Sequence, residues 1–485
     1  MRMNYKKIIS VLLVTILLIS LIPSQYTKAE RVYGNGAWYG NANSQRTNSY
    51  LDQTVKIPLG RSWVNSLSTN VPTELGYTIT KYRVYYGDGY GVRGVNNQTG
   101  ATSNGGDYEV GNPFYAHYNS SYGTVTSSME IAATLSSDVD GGNAAIYVGT
   151  SDGFIGKMDG WGIYQKNGAQ SFKFSPKAPS GASAYFGGAI KYITYPNDSR
   201  RIASASDYRL HMTNTDNMTR TWYFDVDDIP NSTYTTGDSF TGLTTLNNDT
   251  IFATTDHNSG SSYGLVFDQA SDNFGDWTVH MPTKIMKYQG GIPKNASYDK
   301  SSNTIVVVDK QGRVYFHSDT GTNRANRSWL YTGDSLTRGY DSVGGALIHE
   351  GYAYTSSKDS SQGTGKGTIT KFDLSRLGNE YKTNYVHDQP ITTTPIMLSG
   401  YLYFGDSTGK VYALDPNTMK RVQWYGDDKG NLYDTTDVGS AVKSLLGADN
   451  HLFVSTDSLI LNSLDNKTMQ SAGTFSPVFK IIISP

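Results

Sequence analysis

The hydrophobic pattern of this chain consists of short runs rich in Tyr, Val and Ile that Gly, Asn, Asp and Ser interrupt. Runs of this kind predict β-strands joined by tight turns. The clearest unit spans 392–424: a small-residue stretch, a run at 401–404, a turn at 407–409, a run at 410–414 and a third run ending near Trp424. This unit predicts one four-stranded antiparallel sheet.

Seven further segments repeat the same order, and each ends on an Asp or Asn. These closing residues are Asn96, Asp159, Asp216, Asp268, Asp319, Asp373, Asp415 and Asp465. Successive members stand between 42 and 63 residues apart. Sheets repeated at about fifty residues are typical of a β-propeller. We therefore predict an all-β fold, a single β-propeller of about eight four-stranded blades, with seven blades as the alternative.

The closing Asp has a physical role at this position. Its side chain accepts the backbone N–H two residues later and so forms a turn between strands. A ring of carboxylates that binds calcium is the alternative, but the Asp-x-Asp-x-Asp spacing of a calcium loop is missing. We therefore predict turns and no metal site.

These residues resemble the PQQ-like (quinoprotein alcohol dehydrogenase-like) repeat family. The stretch from Tyr401 to Asp415, with Thr418 and Trp424, is similar to the family's Tyr-x-Gly-x-x-x-Gly-x-x-Tyr-Ala-x-Asp-x-x-Thr-Gly-x-x-x-Trp repeat. Trp38 and the segment 40–47 resemble the motif that precedes the family's first blade. The resemblance covers most of the chain, and it implies the propeller fold.

In this family the repeat Trp packs each blade against its neighbour. The resemblance assigns that docking role to four residues: Trp222, Trp277, Trp329 and Trp424. Stacking on a sugar or quinone is the functional alternative for them. Packing is favoured because aromatic side chains fill seams of this kind with large buried areas.

The chain has no cysteine, and this separates it from two groups of the family. Quinoprotein dehydrogenases hold PQQ beneath a vicinal disulfide, and outer-membrane assembly propellers carry a lipid on a cysteine. The resemblance therefore implies a non-catalytic branch without cofactor, in which loops at one end of the ring bind other proteins.

Residues 1–29 have the pattern of a secretory signal peptide, with a basic start, an apolar stretch at 8–22 and small residues before the cleavage position. We expect a secreted or cell-surface protein without a membrane anchor. Segment 30–60 is predicted to close the ring, and 61–485 to form the blades. The apolar run 478–483 would be an exposed edge if left alone, so we expect residues 31–60, with the β-prone stretch 54–57, to share a blade with 452–483.

The charge balance argues against nucleic acid as a partner. Removing residues 1–29 takes away four of 41 basic residues and none of the 42 acidic residues, which leaves a formal charge of −5. Lys and Arg form no long cluster either, so the electrostatic footprint of a polyanion-binding surface is missing.

The sequence shows no catalytic motif and no spacing typical of a metal site among its eight histidines. The starts of the inner strands carry Lys191, Lys294 and Lys443 in what looks like one register, with Glu130 in a fourth blade. Lysines around the channel would concentrate an anion on the axis. Lysines that merely reach into a wet channel are the favoured alternative.

We therefore expect a monomeric binding module for a protein or a cell-wall glycan, with no catalytic residue. Its loops at 255–264 and 355–368 are rich in the Ser, Gly, Asn and Tyr that adapt to partner surfaces. Two alternatives stay open. One is an enzyme, either a degenerate quinoprotein or a carbohydrate-active propeller using carboxylates such as Glu130 or Asp256, and the other is a self-assembling surface protein.

Overall fold

The structure is a computed structural model, and it is almost entirely β-sheet. Its described residues are 38–39, 42–43, 50–51, 60–66, 77–79, 83–87, 91–96, 114–117, 120–127, 130–132, 145–159, 172–174, 190–194, 200–205, 209–214, 218–229, 239–246, 250–256, 262–268, 278–299, 303–318, 327–331, 342–358, 365–376, 381–425, 432–448, 451–458, 460–465 and 482–483. Within these ranges the helices are the single 3₁₀ turns Ser120–Tyr122 and Val226–Asp228. None of the described helices could cross a membrane. The predicted signal peptide, 1–29, lies outside these ranges.

Four strands precede the first blade. They are β1 (Trp38–Tyr39), β2 (Ala42–Asn43), β3 (Tyr50–Leu51) and β4 (Gly60–Ser66). The first two pair with each other as a short antiparallel hairpin.

Blades 1 to 4 follow in chain order, each with its innermost strand first. Blade 1 is β5 (Tyr77–Ile79), β6 (Arg83–Gly87), β7 (Gly91–Asn96) and β8 (Phe114–His117). Blade 2 is β9 (Glu130–Ala132), β10 (Ala145–Gly149), β11 (Ile155–Asp159) and β12 (Phe172–Phe174). Blade 3 is β13 (Ile190–Thr194), β14 (Arg200–Ala205), β15 (Arg209–Asn214) and β16 (Arg220–Asp225). Blade 4 is β17 (Ser239–Thr245), β18 (Ile251–Asp256), β19 (Ser262–Phe267) and, after the short β20 (Thr278–Val279), β21 (Lys284–Tyr288).

Blades 5 to 8 continue the series. Blade 5 is β22 (Ser297–Asp299), β23 (Thr304–Val308), β24 (Arg313–Ser318) and β25 (Arg327–Tyr331). Blade 6 is β26 (Leu347–His349), β27 (Tyr352–Ser357), β28 (Thr368–Asp373) and β29 (Lys382–Val386). Blade 7 is β30 (Ile396–Leu398), β31 (Tyr401–Gly405), β32 (Lys410–Asp415) and β33 (Lys420–Tyr425), followed by β34 (Leu432–Tyr433) and β35 (Thr435–Asp437). Blade 8 is β36 (Val442–Ala448), β37 (His451–Thr456) and β38 (Ile460–Asp465), and the final strand is β39 (Ile482–Ile483).

Eight sheets of four or more strands are present in the described part of the chain, and the four strands of each blade pair antiparallel. The predicted repeat register is correct at five of the six closing residues that the structure describes, and at the sixth, Asp268, the strand ends one residue earlier. Asn96, Asp159, Asp373, Asp415 and Asp465 are each the last residue of the third strand of their blade. The predicted all-β fold of about eight four-stranded blades is therefore confirmed.

The N-terminal strands join blades that come late in the chain. β4 pairs antiparallel with β38 and supplies the fourth strand of blade 8. β3 pairs in parallel with β30 of blade 7. The segment 30–60, predicted to close the ring, thus includes β1 to β3 and only the first residue of the strand that pairs with blade 8. Of the C-terminal run expected in that blade, residues 482–483 instead pair with β33 of blade 7. The strand expected at 54–57 lies outside the described residues.

Adjacent blades pack through separate hydrophobic clusters. In the seam between blades 3 and 4, for example, Trp222 and Phe224 of β16 meet Phe267 of β19. Similar clusters fill the next three seams. Because strand residues alternate between faces, each blade contributes one face to the seam before it and the other to the seam after it.

Hydroxyl groups on the two inner strands, or on the segments that enter them, also tie blades 4 to 8 together. Thr244 Oγ1 donates to Ala296 O and Ser356 Oγ donates to Thr393 O, both at 2.7 Å. Equivalent bonds join blades 5 to 6 and 7 to 8. Small hydroxyl residues let these strands approach while satisfying carbonyl groups that the crowded centre would otherwise leave unpaired.

Candidate functional site

The predicted channel residues lie on or next to the innermost strands. Lys191 is the second residue of β13 and pairs with Ala203, and Glu130 is the first residue of β9. Lys443 lies in β36, and Lys294 precedes β22 by three residues. The four residues therefore share the inner layer of blades 2, 3, 5 and 8, which are not all neighbours.

Two of these lysines occupy different positions along their strands. Blades 5 and 8 each have a backbone hydrogen bond from the turn after the second strand to the segment that enters the first strand. Its acceptor is the carbonyl of Gly291 in blade 5 and that of Ala441 in blade 8. Lys294 follows its acceptor by three residues, whereas Lys443 follows its acceptor by two and lies at a β-bulge. The convergence of the lysines on one anion stays a prediction.

The tryptophans assigned to docking lie in the outermost strands wherever the structure describes them. Trp222 in β16 is fully buried. Its ring stacks on Phe267 of the next blade with centroids 5.6 Å apart and contacts His280 at 4.8 Å. The remaining assignments are Trp329 in β25, Trp424 in β33 and Trp277 outside the described residues.

The closing Asp residues form turns at two of the places where the structure describes them. Asp373 accepts the N–H of Ser375 at 2.9 Å, and Asp415 accepts the N–H of Asn417 at 2.7 Å. Asp268 differs, because its carboxylate accepts two threonine hydroxyls from neighbouring strands.

A second set of Asp residues, overlooked in the sequence, is buried more deeply. Asp309 and Asp406 follow the second strands of blades 5 and 7, and both side chains are fully buried. In each, Oδ1 accepts the backbone N–H groups two and four residues on, at 2.8–3.0 Å. The detectable signal is the spacing Asp-x-x-Gly-x-Val-Tyr, which 309–315 and 406–412 share.

The carboxylate of Asp406 is the inner end of a polar network across the seam between blades 6 and 7. His387 Nε2 lies 3.2 Å from Asp406 Oδ2, and His387 Nδ1 lies 3.1 Å from Arg421 Nη2. Because a guanidinium only donates, Nδ1 is the acceptor and Nε2–H donates to Asp406. Arg421 also donates to the Tyr385 hydroxyl and, at 2.7 Å, to Asp434.

This network, here called the seam 6/7 lock, is a packed and hydrogen-bonded contact between two blades. The His387 ring meets Tyr412 edge to face at 4.5 Å, and the Arg421 guanidinium lies 4.9 Å from the centre of the same ring. Burial works to raise the pKa of Asp406, but hydrogen bonds from His387, Lys410 and Thr408 outweigh it and hold that pKa below its ordinary value. The donors of His387 and Arg421 are hydrogen-bonded to other side chains of the protein, so this network stabilises the contact between the two blades.

A related lock, here called the seam 4/5 lock, joins blades 4 and 5. Tyr288 ends the fourth strand of blade 4, and His387 directly follows the fourth strand of blade 6, so the two residues take similar positions. The rings of Tyr288 and Tyr315 have centroids 4.8 Å apart, and the Tyr288 hydroxyl lies 3.0 Å from His317 Nε2. Tyr315 donates to Asp309, which also pairs with Arg313. Burial lowers the pKa of His317 to about 4 and raises that of Asp309.

The carboxylates considered for an enzyme lie on separate blades. Glu130 begins β9, whereas Asp256 ends β18 and forms an ion pair with Lys310 of blade 5. Groups of three or more side chains suited to a metal ion do not occur in the described part of the chain. Of the two loops expected to bind partners, 257–261 and 359–364 lie outside the described residues.

An extended segment on the outer side of the ring, residues 278–288, carries an exposed row of side chains. From 279 to 287 the residues alternate between exposed and partly buried. The exposed members, here called the rim stripe, are Val279, Met281, Thr283, Ile285 and Lys287. The exposed fractions of Val279, Met281 and Ile285 are 42%, 47% and 39%. At about 3.3 Å per residue, these three span about 20 Å.

The inward side chains of this segment hold it in place. His280 packs on Trp222, Met286 packs on the seam between blades 4 and 5, and Tyr288 is buried there. The first two residues, β20, pair in parallel with β16 of blade 3, and the last five form β21 of blade 4. The rim stripe therefore bridges two blades on a rigid support.

The other exposed large hydrophobic residues in the described part of the chain also belong to an outermost strand. They are Tyr381, which immediately precedes β29, and Val386, which ends it, with exposed fractions of 45% and 43%. The large exposed apolar side chains of the described residues thus lie on the outermost strands or directly beside them. Exposed apolar residues gathered in this way are typical of interaction surfaces.

Three solved structures are similar to this chain over most of its length. A europium-containing methanol dehydrogenase matches 87% of this chain and 89% of its own, at 13% identity and a TM-score of 0.56. The computationally designed Ika8 protein matches 86% and 99%, at 11% identity and a TM-score of 0.50. BamB from Moraxella catarrhalis matches 85% and 98%, at 12% identity and a TM-score of 0.39.

These likenesses confirm the β-propeller and support the resemblance to PQQ-like propellers at the level of fold. No protein-family model matches the sequence, and no curated protein matches it. Membership of a non-catalytic branch therefore stays a prediction.

Proposed function

We propose that this chain is a secreted propeller scaffold that binds a partner protein through the outer side of its ring. The rim stripe is the observation that carries the proposal. Its three apolar members, Val279, Met281 and Ile285, span about 20 Å and are fixed to two blades, and exposed apolar surfaces of this kind occur mainly where another molecule docks. A rigid support favours binding because little conformational entropy is lost.

The side-chain chemistry of the rim stripe favours a protein partner over a glycan. Its large exposed side chains are aliphatic or thioether groups, whereas sugars are usually bound by aromatic faces and polar groups. Lys284 and Lys287 are the charged residues of 278–288. An apolar row with adjacent lysines suits a partner surface that combines apolar and acidic residues.

Site-specific photo-crosslinking tests this proposal without knowledge of the partner. p-Benzoylphenylalanine replaces Met281 in the rim stripe, and in the control it replaces Thr383, which is exposed in β29. We expect one identified protein to be trapped at 281 and not at 383. The adduct should disappear when excess unmodified chain competes and when Ile285→Asp is present in the same chain.

Three results would contradict the proposal. The first is equal trapping at 281 and 383, and the second is an adduct that Ile285→Asp leaves unchanged. The third is saturable binding to a glycan array that the same substitution does not weaken, together with no adduct at 281. Melting temperatures of all variants show whether each one is folded.

A further inference from the structure

The outer edge of β21 offers backbone groups as well as side chains. In blade 4 the strand order is β17, β18, β19, β21, so β21 is the last strand of its sheet, and no described strand pairs with its outer edge. Such an edge presents unpaired N–H and C=O groups that can template another strand. The rim stripe residues Thr283, Ile285 and Lys287 lie along this edge.

Two other outermost strands of this ring already accept an additional strand. β20 pairs in parallel with β16 of blade 3, through Trp222 and Tyr223. β39 pairs antiparallel with β33 of blade 7, through Val422 and Gln423. Outer edges of these blades can therefore bind an extended segment in either direction.

The lysines of β21 restrict what such a segment can be. Lys284 and Lys287 stand three residues apart, so one lies on each face of the strand. A second copy of β21 paired along this edge would bring like charges together, which is unfavourable. Carboxylates on an added strand would instead face the lysines.

We propose that the outer edge of β21 binds an extended segment of the partner protein by strand addition, and that this segment alternates apolar and acidic side chains. The inference rests on the proposed function, because it uses the same face of the ring. Backbone hydrogen bonds would supply affinity, and the alternating side chains would supply selectivity over Ile285 and the two lysines.

A defined peptide tests the inference. The probe is a fluorescein-labelled nine-residue peptide of alternating Val and Glu, titrated with the whole chain and followed by anisotropy. The backbone control carries N-methyl groups on two adjacent central residues, which blocks both edges of the peptide and keeps its charge. We expect the control to bind about tenfold more weakly, and a Val/Lys peptide to bind as weakly as the control.

Disulfide trapping locates the peptide on the ring. The chain has no cysteine, so Thr283→Cys and Thr383→Cys each create a single thiol on an outer strand or next to one. A probe with a terminal cysteine should be trapped at 283 and not at 383. Lys287→Glu should weaken the Val/Glu probe and strengthen the Val/Lys peptide.

Each contrary result identifies which idea fails. Equal affinity of the N-methylated peptide, equal trapping at 283 and 383, or no binding of the Val/Glu probe would overturn strand addition. The crosslink at Met281 would survive any of these results if the proposed function is correct. Dimerisation that Ile285→Asp abolishes and Lys287→Glu strengthens would identify a second copy as the occupant and overturn the acidic partner.

Discussion

Replacing Asp406 by Ala should be one of the most damaging single substitutions in this chain. The fully buried carboxylate accepts two backbone N–H groups, the Thr408 hydroxyl and His387 Nε2–H. Alanine leaves the buried His387 donor and the partly buried Lys410 N–H without an acceptor, whereas water can reach the two donors of the exposed Thr408. Hydrogen bonds to a charged group contribute about 1.5–3 kcal/mol each, and losses within one network do not add fully. We expect a cost of about 3–5 kcal/mol.

The matched control is Asp415→Ala, nine residues along the chain in the same blade. Asp415 also accepts two backbone N–H groups, at 2.7 and 3.3 Å, but the residues that donate them are exposed. Water can replace the lost acceptor there, so the expected cost is about 1 kcal/mol or less.

Scanning calorimetry distinguishes the two variants. A cooperative unit of this length has an unfolding entropy near 1 kcal/mol per kelvin, so Asp406→Ala should lower Tm by about 3–5 °C and Asp415→Ala by about 1 °C. Equal shifts in Tm would refute the reasoning, because they would mean that the network across the seam contributes no more to stability than an exposed turn does.

Four further outcomes are expected. Burial keeps His317 neutral in the folded protein, so its contribution to the free energy of unfolding is complete above pH 6.5 and is lost as pH falls towards 4. His317→Gln should remove up to about 3 kcal/mol of this acid destabilisation, as measured by unfolding at a series of pH values. Replacing Lys191, Lys294 and Lys443 together by Gln should weaken binding of an acidic polysaccharide, most clearly at low salt, and unchanged isotherms would count against a shared anion site. Deleting the chain up to residue 66 removes β4 and should lower both Tm and soluble yield, whereas an unchanged Tm would show that β4 is dispensable. Titration with PQQ and calcium should give no stoichiometric absorbance change, and micromolar binding would contradict the non-catalytic prediction.

The blades were predictable because the repeat signal is local. The closing Asp marks the end of a third strand by its own turn chemistry, so the register at Asp373 and Asp415 could be derived from a few neighbouring residues. The segment predicted to join the last blade, 31–60, lies a few residues too early, since the strand that pairs with β38 is Gly60–Ser66 and follows the β-prone stretch at 54–57. Contacts with β38, near the other end of the chain, decide which of these two adjacent stretches forms the paired strand.

The rim stripe was not predictable for a related reason. The segment 278–288 is apolar on both faces, with Met281 and Ile285 on one and Met286 and Tyr288 on the other. A pattern of this kind does not show which face is covered. The seam locks were hidden in the same way: the Asp-x-x-Gly-x-Val-Tyr spacing is visible, but the partner His387 arrives from the preceding blade across loops of variable length.

The pairing of β4 with β38 has a consequence for how the molecule is made. Its register joins Ser66 to Ile460, so a strand synthesised near the start must wait for nearly the whole chain before it finds its partner. Closing a loop of that length costs about 5 kcal/mol of chain entropy, against about 2 kcal/mol for a ten-residue hairpin. Seven blades can therefore assemble as they are synthesised, while the eighth forms last and limits the rate. During that interval β38 lacks its outer neighbour, and the nascent chain is most exposed to aggregation and proteolysis.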